Sequence, residues 1–202
     1  VPYGGLINMF YNHVERIFRP ATEGRGGAPM KIAHTTSFSF DASWEQLFWL
    51  LDGHSVYVIS ESMRKDPAAL LSYYAQNRID GFDVTPSYGE LLVESGLFSH
   101  TEPGYDGISF FSLGGEAVPE TLWATLRERP GLWSYNLYGP TEYTINALGA
   151  NLADSDRPNV GEPIFNTMAL LLDRSLTPVL DGVAGELYLS GAGMGRGYQG
   201  RP

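Results

Sequence analysis

The sequence predicts an α/β fold, a parallel sheet with helices on both faces, followed by a smaller and mostly β region. Between residues 31 and 136, short segments of strand composition alternate with segments of helical periodicity. Such alternation is typical of crossover units, which set parallel strands side by side and cover both faces of the sheet. After Gly149 the helical patterns stop, and turn residues separate the apolar segments. We therefore divide the chain into an α/β subdomain over 1–149 and a mostly β segment over 150–202.

The expected strands are short, apolar and rich in β-branched or aromatic residues. Those of the first part lie at 31–35, 55–59, 81–84, 108–113 and 132–136, and those of the second part at 168–172 and 186–189. Parallel strands bring their carboxyl ends to one edge of a sheet, and ligands bind at that edge. Segments that directly follow a strand are therefore the first candidates for a site.

Helical segments separate these strands. An apolar stripe at helical spacing precedes the first strand, and its members are Leu6, Phe10, Val14 and Ile17. Ser43 is expected to cap a helix over 44–51. The other expected helices cover 66–78, with Pro at the first helical position, 86–95 and 119–127. The segment 19–29 is rich in Gly, Pro and charge, which predicts an exposed loop.

Composition disfavours several functions. The net charge of −10 argues against a sequence-independent nucleic-acid binder, which needs clustered Lys and Arg against phosphates. Because cysteine is absent, disulfides, thiol nucleophiles and cysteine metal sites are excluded. The histidines have no metal-ligand spacing, so we expect ordinary surface or core roles for them. They are His13, His34, His54 and His100.

The chain also lacks the signals of export and membrane insertion. No apolar stretch approaches the roughly 20 residues that span a bilayer. The start at Val1 has neither an initiator Met nor the charged and apolar regions of a signal peptide. We therefore expect a cytoplasmic protein with no membrane partner, and a sequence that begins inside a longer chain.

The segment NLYGPTE, residues 136–142, directly follows an expected strand. Tyr138 could stack on a purine, Thr141 could bond a phosphate, and Glu142 could bind Mg²⁺, which prefers one or two carboxylates plus phosphate oxygens. On chemistry alone, the residues more often form a Gly-Pro turn in which Thr141 caps the next segment. The chemistry of this segment therefore leaves both interpretations open.

Two further segments have the same ambiguity. GELYLSGAGMGRGY, residues 185–198, carries four alternate glycines after a strand, which suits a phosphate loop or a tight structural turn. SFDAS, residues 39–43, places Asp41 before a helix, where it could pair with a ligand ammonium or simply cap the helix. Neither segment by itself distinguishes a binding site from ordinary loop structure.

In order along the chain, these three segments and FFSLGGEAVP, residues 110–119, resemble the motifs of nonribosomal peptide synthetase adenylation domains, which are members of the adenylate-forming superfamily. The family motifs are Asn-x-Tyr-Gly-Pro-Thr-Glu, Phe-Asp-x-Ser, a glycine-bearing nucleotide loop, and a Gly-rich motif in which Gly195 stands where Ala is usual. The resemblance covers essentially the whole chain, and four motifs in order are specific.

The resemblance implies that an amino acid and ATP react to aminoacyl adenylate and pyrophosphate. The aminoacyl group then passes to the phosphopantetheine thiol of a peptidyl carrier protein, and a condensation domain of the same synthetase is a further expected partner. Cofactors would be ATP and Mg²⁺. Tyr138 would stack on adenine, Thr141 would contact the α-phosphate, and Glu142 would hold the metal. The remaining nucleotide-binding residues would be Gly115, Glu116, Ala117, Asn136 and Gly139.

The amino-acid pocket of the family also transfers by position. Asp41 would receive the α-ammonium, and the rest of the pocket would be Ala42, Glu45, Asp83, Ser112, Gly114, Leu137, Ile145 and Asn146. Two carboxylates beyond Asp41 would then face the ligand side chain. Because a buried carboxylate without a partner is costly, the pocket would favour a basic amino acid, arginine or ornithine in type. The alternative is that Glu45 and Asp83 point to solvent, or that the alignment slips by one residue.

Two other functions remain open. An acyl- or aryl-acid ligase of the same superfamily would not need Asp41, because its substrate lacks an α-amine. A non-catalytic specificity or binding subdomain is the second alternative. The family's phosphate loop would precede Val1, while its Thr-Gly-Asp motif and the subdomain with a catalytic Lys would follow Pro202. We therefore expect weak or no adenylation by these 202 residues alone, and we expect Asp41, Tyr138 and Glu142 to meet around one cleft.

Overall fold

The computed structural model describes residues 1–99 and 103–200. The expectation for His100 lies outside these residues, as do the last two positions of the predicted second part. The strands, in chain order, are β1 Lys31–His34, β2 Ser55–Val58, β3 Gly81–Val84, β4 Phe110–Gly114, β5 Trp133–Tyr138, β6 Leu148–Asn151, β7 Glu162–Pro163, β8 Thr167–Leu172 and β9 Glu186–Gly191.

The strands of the described residues form two sheets. The larger sheet has the order β2-β1-β3-β4-β5-β6-β7, and β8 pairs with β9 in a separate antiparallel sheet. All pairs from β2 to β5 are parallel, which confirms the predicted parallel sheet, and the small sheet confirms the predicted β region. The larger sheet is nevertheless mixed, because β6 and β7 add to it in antiparallel orientation.

Strand β6 was not predicted, and its sequence explains why. Leu148-Gly149-Ala150-Asn151 has little strand propensity. A Cβ added to Gly149 would lie 2.6 Å from Cε1 of Tyr135 on the neighbouring strand, so the packing requires a residue without a side chain. The sheet runs through residue 149 and continues to β7. The division of the chain at 149 thus stays a prediction, and the structure places 150–163 with the first sheet.

The helices are α1 Tyr3–His13, a π-helical turn Val14–Phe18, α2 Arg19–Glu23, α3 Ser43–Leu51, α4 Glu61–Arg64, α5 Pro67–Asn77, α6 Pro86–Glu94, α7 Glu120–Arg127 and a 3₁₀ turn Leu152–Asp154. Two predictions were wrong in detail. The expected loop begins with α2, which tolerates Pro20 because the ring sits in its first turn. Ser43 is the first residue of α3, and the cap position falls on Ala42. In the described part of the chain, no helix has the length and apolarity to cross a bilayer.

Two hydrophobic clusters cover the two faces of the larger sheet. Consecutive strand residues point to opposite faces, and adjacent Phe110 and Phe111 accordingly belong to different clusters. The cluster around Phe111 includes residues of α5, α6 and α7. The cluster around Phe110 includes residues of α1 and α3, and the small sheet packs against it through Ala169, Leu187 and Leu189. The helices therefore leave the carboxyl edge of the parallel strands open beside α3.

Candidate active site

One cavity of about 790 Å³ lies at the carboxyl ends of β3, β4 and β5. Its wall continues over the segment from Thr35 to Ala42, which connects β1 to α3, and over the turn from Gly139 to Thr141. This is the edge at which parallel sheets bind ligands. A volume of this size holds a drug-sized ligand.

All nine residues predicted to form the amino-acid pocket line this cavity. They are Asp41, Ala42, Glu45, Asp83, Ser112, Gly114, Leu137, Ile145 and Asn146. Asp41 is exposed at the entrance, directly before α3, whereas Glu45 and Asp83 are only 5% and 9% exposed. The two carboxylates therefore face the cavity and not bulk solvent. The cavity has a carboxylate at its open end and two more at its buried end.

Only some of the predicted nucleotide-binding residues line the same cavity. Gly115, Glu116, Gly139 and Thr141 are among the described residues that form its wall, whereas Ala117, Asn136, Tyr138 and Glu142 are not. Asn136 points to the opposite face from Leu137, as alternation in a strand requires, and its Nδ2 donates to the Asn159 carbonyl at 2.8 Å. Tyr138 packs half-buried against the cluster around Phe110. The meeting of Asp41, Tyr138 and Glu142 around one cleft stays a prediction.

The turn after β5 is held in place by the glycine-rich segment. The Gly195 N–H donates to the Glu142 carbonyl at 2.7 Å, and the Thr144 N–H donates to the Gly193 carbonyl at 2.7 Å. The exposed Glu142 carboxylate accepts a hydrogen bond from the Tyr198 hydroxyl at 3.1 Å. Two motifs that are more than forty residues apart in sequence are thus in direct contact.

The same turn has an unusual backbone. A Cβ on Gly139 would lie 2.0 Å from the Ile145 carbonyl oxygen, so this position requires glycine. Ile145, whose side chain lines the cavity, has a φ of 59°. Positive φ is an outlier for a β-branched residue, and such outliers cluster at functional sites. The turn is a strained wall of the cavity.

Glu116 positions the loop that follows β4. Its carboxylate accepts hydrogen bonds from the Ser87 N–H at 3.0 Å and from the Ser87 hydroxyl at 3.1 Å. Ser87 lies in the first turn of α6, where unpaired backbone donors favour an acidic partner. Glu116 therefore fixes Gly115 at the cavity wall by tying the loop to α6.

The buried carboxylates differ in their partners. Glu45 Oε2 accepts from His13 Nε2 at 2.7 Å, and its Oε1 accepts from Asn146 Nδ2. Oδ2 of Asp83 has no hydrogen-bond partner among the described residues. Burial raises the pKa of Asp83 to about 7, the charge of Glu45 adds to that increase, and Ser112, Gln46 and His13 act against it. Asp83 is therefore the carboxyl that a ligand could stabilise in its charged form.

His13 is the contact that sequence reasoning missed. It is 1% exposed, it lies at the end of α1, and it reaches the site only through Glu45. The apolar stripe predicted for this helix did not include it. The sequence signal that could have indicated His13 was the polar pair Asn12-His13 within a largely apolar helix. The structure shows both side chains buried. Among the described residues, no group of three His, Cys, Asp or Glu side chains could hold a metal.

Comparison with known proteins identifies the family. The profile of the family described as AMP-binding enzyme matches residues 3–199. The chain belongs to the AMP-binding enzyme family. Its match extends over both sheets and includes every residue that lines the cavity.

The relatives of this AMP-binding chain are much longer proteins. Vanchrobactin synthetase VabF of Vibrio anguillarum is 39% identical over 208 residues, which cover 99% of this chain and 7% of the relative. Bacitracin synthase 1 of Bacillus licheniformis is 30% identical over 211 residues, which cover 100% of this chain and 4% of the relative. The chain thus spans less than a tenth of the length of either relative.

Solved structures show the same fold. A four-domain nonribosomal peptide synthetase bound to AMP and glycine matches with a TM-score of 0.80 and 26% identity, covering 96% of this chain and 14% of that chain. The synthetase FmoA3 in its AMPPNP-bound form matches with a TM-score of 0.79 and 24% identity, covering 96% of this chain and 21% of that chain. Because the identity to FmoA3 is only 24%, this match supports the fold alone.

Proposed function

We propose that this chain forms the amino-acid pocket and part of the nucleotide site of an adenylation domain that activates a basic amino acid. The observation that carries the proposal is the distribution of carboxylates in one cavity. Asp41 lies at the exposed end, and Asp83 and Glu45 lie at the buried end. An amino acid with a cationic side chain has positive charges at both ends and matches this arrangement.

Asp83 is the group that selects the side chain. Glu45 already has partners in His13 and Asn146, whereas Asp83 Oδ2 has none among the described residues. A neutral ligand would leave Asp83 either protonated or charged with its Oδ2 unpaired, and both states are costly in a buried site. An ammonium or guanidinium would pair with it, and Ser112 next to it on β4 would help to align the ligand.

The chemistry is a displacement at phosphorus. The substrate carboxylate forms a bond to the α-phosphorus of ATP, and the bond from that phosphorus to pyrophosphate breaks. Positioning both reactants in one cavity supplies much of the acceleration, since it replaces a bimolecular encounter. In this proposal Asp41 pairs with the α-ammonium, and the Thr141 hydroxyl donates a hydrogen bond to the α-phosphate.

The residues present suit ATP with Mg²⁺. Glu142 offers one exposed carboxylate beside Thr141, and Mg²⁺ typically takes one or two carboxylates together with phosphate oxygens. When bound, the metal would offset charge on the phosphates. Gly115 and Glu116 line the same cavity as the proposed nucleotide contacts Gly139 and Thr141. Asn136, Ala117 and Tyr138 do not line this cavity, and in this proposal they would contact adenine outside it.

The proposed partners follow from the product. An aminoacyl adenylate is a mixed anhydride, and a thiolate attacks its carbonyl carbon with loss of AMP. A peptidyl carrier protein with a phosphopantetheine arm supplies that thiol, and a condensation domain of the same synthetase uses the thioester.

Substrate selection tests this function. In an intact adenylation domain that contains this sequence, ATP–pyrophosphate exchange is measured with ornithine, arginine, their neutral analogue citrulline, and glutamine. We expect kcat/KM for a basic substrate to exceed that of the neutral analogues by roughly 100-fold or more, because the site rejects ligands that leave Asp83 unpaired. Higher activity with a neutral amino acid would contradict the proposed specificity.

The α-amine is tested by a matched pair. Ornithine is compared with 5-aminopentanoate, which keeps the side-chain amine and lacks the α-amine, in the natural domain and in Asp41→Asn. We expect the natural domain to reject the desamino compound and Asp41→Asn to lose most of that discrimination. Preference for an acid without an α-amine would favour the aryl- or acyl-acid ligase, and binding of AMP without any exchange would favour a non-catalytic module.

A further inference from the structure

His13 is placed between two hydrogen-bond acceptors. Its Nδ1 lies 2.9 Å from the carbonyl oxygen of Met9, and its Nε2 lies 2.7 Å from Oε2 of Glu45. A neutral imidazole has a single N–H, so it can donate to only one of two acceptors, whereas an imidazolium donates to both. Two acceptors on one ring therefore favour the imidazolium, which keeps a proton on each nitrogen.

The surroundings hold the ring in this orientation. The rings of Phe18 and Phe48 meet the imidazole edge-on, with centroids at 5.8 Å and 5.9 Å. A π-helical turn begins directly after His13, at Val14, and such turns are frequent at functional sites. Burial lowers the pKa of His13, but the Glu45 carboxylate and the Met9 carbonyl outweigh burial and raise it.

We propose that His13, although it does not line the cavity, is a positioning residue that fixes the charge of the amino-acid pocket. As an imidazolium it orients and neutralises Glu45, so that Asp83 is the one carboxylate left to pair with a ligand side chain. The pocket then accepts a side chain with a single positive charge. This inference rests on the proposed function, because it explains how that site selects its substrate.

Other charged and titratable groups around the pocket do not compensate in the same way. They are Asp41 and Glu116, which are exposed on the cavity wall, Arg64, which is half-buried on it, and Tyr74 and Tyr88 from α5 and α6. Burial raises the pKa of Tyr74 well above its ordinary value, and burial also raises that of Tyr88, so both phenols stay neutral around pH 7. Arg64 donates from Nη1 to the Thr35 carbonyl at 2.6 Å, so this guanidinium is tied to the backbone of the segment after β1.

The test is the pH profile of binding in His13→Gln. Glutamine keeps an N–H donor for Glu45 but carries no charge. In the natural domain, we expect ornithine affinity to increase as pH rises through about 7, where Asp83 ionises. Removal of the positive charge favours protonated Asp83, so the midpoint should move upward by about one pH unit, which is about tenfold weaker binding below the midpoint. Well above both midpoints, His13→Gln should bind ornithine no more weakly than the natural domain does.

The control is His54→Gln. His54 is a half-buried histidine that also lies beside a carboxylate, Asp52, but it does not line the cavity or contact Glu45. We expect it to leave the midpoint of ornithine binding unchanged. If His13→Gln weakens binding by the same factor at every pH, or if its midpoint does not move, His13 is merely structural and the inference is overturned.

A spectroscopic measurement decides the charge of His13 independently of substrate. In the ¹⁵N spectrum of the ring nitrogens of the natural domain, we expect the His13 ring to remain doubly protonated at a pH above the ordinary histidine pKa of about 6.5. If every histidine is neutral at that pH, the inference fails even if His13→Gln does not fold. If His13 is charged but citrulline binds as well as ornithine, the proposed function fails instead.

Discussion

At the residue scale, Asp83 lies at the buried end of the pocket and is unfavourable for the fold. Its carboxyl is buried next to Glu45, and the pKa of Asp83 is raised to about 7, from 3.8 in a freely solvated group. Proteins commonly place such destabilising groups at functional sites. The side chain that would bind the substrate is therefore also one that reduces the stability of the empty domain.

Asp83→Asn should stabilise the empty domain in a pH-dependent way. The folded carboxyl has the higher pKa, so the native state binds more protons, and stability falls as pH rises from about 4 to about 7. Above about pH 7 the charged Asp83 carboxylate destabilises the natural protein by its full amount. The uncharged Asn side chain of the variant removes this destabilisation. We expect the variant to raise Tm more at about pH 8 than at about pH 5. The difference in unfolding free energy between the two pH values should be on the order of a few kcal/mol.

The control for this measurement is Glu128→Gln, which removes an exposed carboxylate at the end of α7. We expect it to change Tm little at either pH. A lower Tm for Asp83→Asn at the higher pH would mean that Asp83 has a stabilising partner in the empty protein. The same variant should lose preference for basic substrates, which links stability and specificity to one group.

At the element scale, the turn from Tyr138 to Ile145 joins the main sheet to the glycine-rich segment. Backbone hydrogen bonds run from this turn to Gly193 and Gly195, and the Tyr143 hydroxyl lies 2.6 Å from Oγ1 of Thr167 at the start of β8. The Ala147 N–H closes the turn on the Tyr138 carbonyl at 2.7 Å. This element therefore positions Thr141, Ile145 and Asn146 together.

Gly139→Ala should distort this turn. Its Cβ would overlap the carbonyl oxygen of Ile145, and backbone atoms cannot move aside as a flexible side chain can. We expect a loss on the order of 2 kcal/mol or more in unfolding free energy, measured by denaturant titration, together with weaker substrate binding.

Gly4→Ala is the matched control. Gly4 lies in α1 with nothing within 4 Å of an added Cβ, so alanine should stabilise the helix by roughly 0.5–1 kcal/mol. Equal stability of the two variants would show that the turn can relax without cost.

At the scale of the whole molecule, the larger sheet is covered on both faces, whereas the small sheet is covered on one. Several apolar side chains of β8 and β9 remain exposed, and they include Met168, Leu170, Leu171 and Tyr188. The central strands β3 and β4 are almost entirely buried. Local stability follows buried apolar contact, so the two sheets should differ in their opening free energy.

Hydrogen exchange measured by mass spectrometry tests that difference. We expect amides of β8 and β9 to exchange well before those of β3, β4 and β5, and amides of β6 to be protected with the larger sheet. Protection that ends near residue 163 would place the border of the first unit beyond the predicted position of 149. Equal protection in both sheets would show that they open as one unit.

Much of this molecule could be predicted from local pattern. The alternation between residues 31 and 136 predicted the five parallel strands and most of the helices, because hydrophobic periodicity is a local property. The motif residues could be placed at a sheet edge for the same reason. Strand β6 could not be predicted, because its Gly149 is required by the close approach of Tyr135 on the neighbouring strand. Helix α2 could not be predicted, because it begins a segment that is rich in Pro and Gly.

The sequence by itself determined the fold class, the family motifs and nine of the residues that line the cavity. Only the tertiary structure decided how the charges in that cavity are shared. Glu45 and Asp83 look alike in sequence, but Glu45 is paired with His13 and Asn146 while Asp83 Oδ2 is without a partner in the described residues. Such pairing depends on side chains that are distant in sequence and meet only when α1, α3 and the turn after β5 pack together, so no local pattern encodes it.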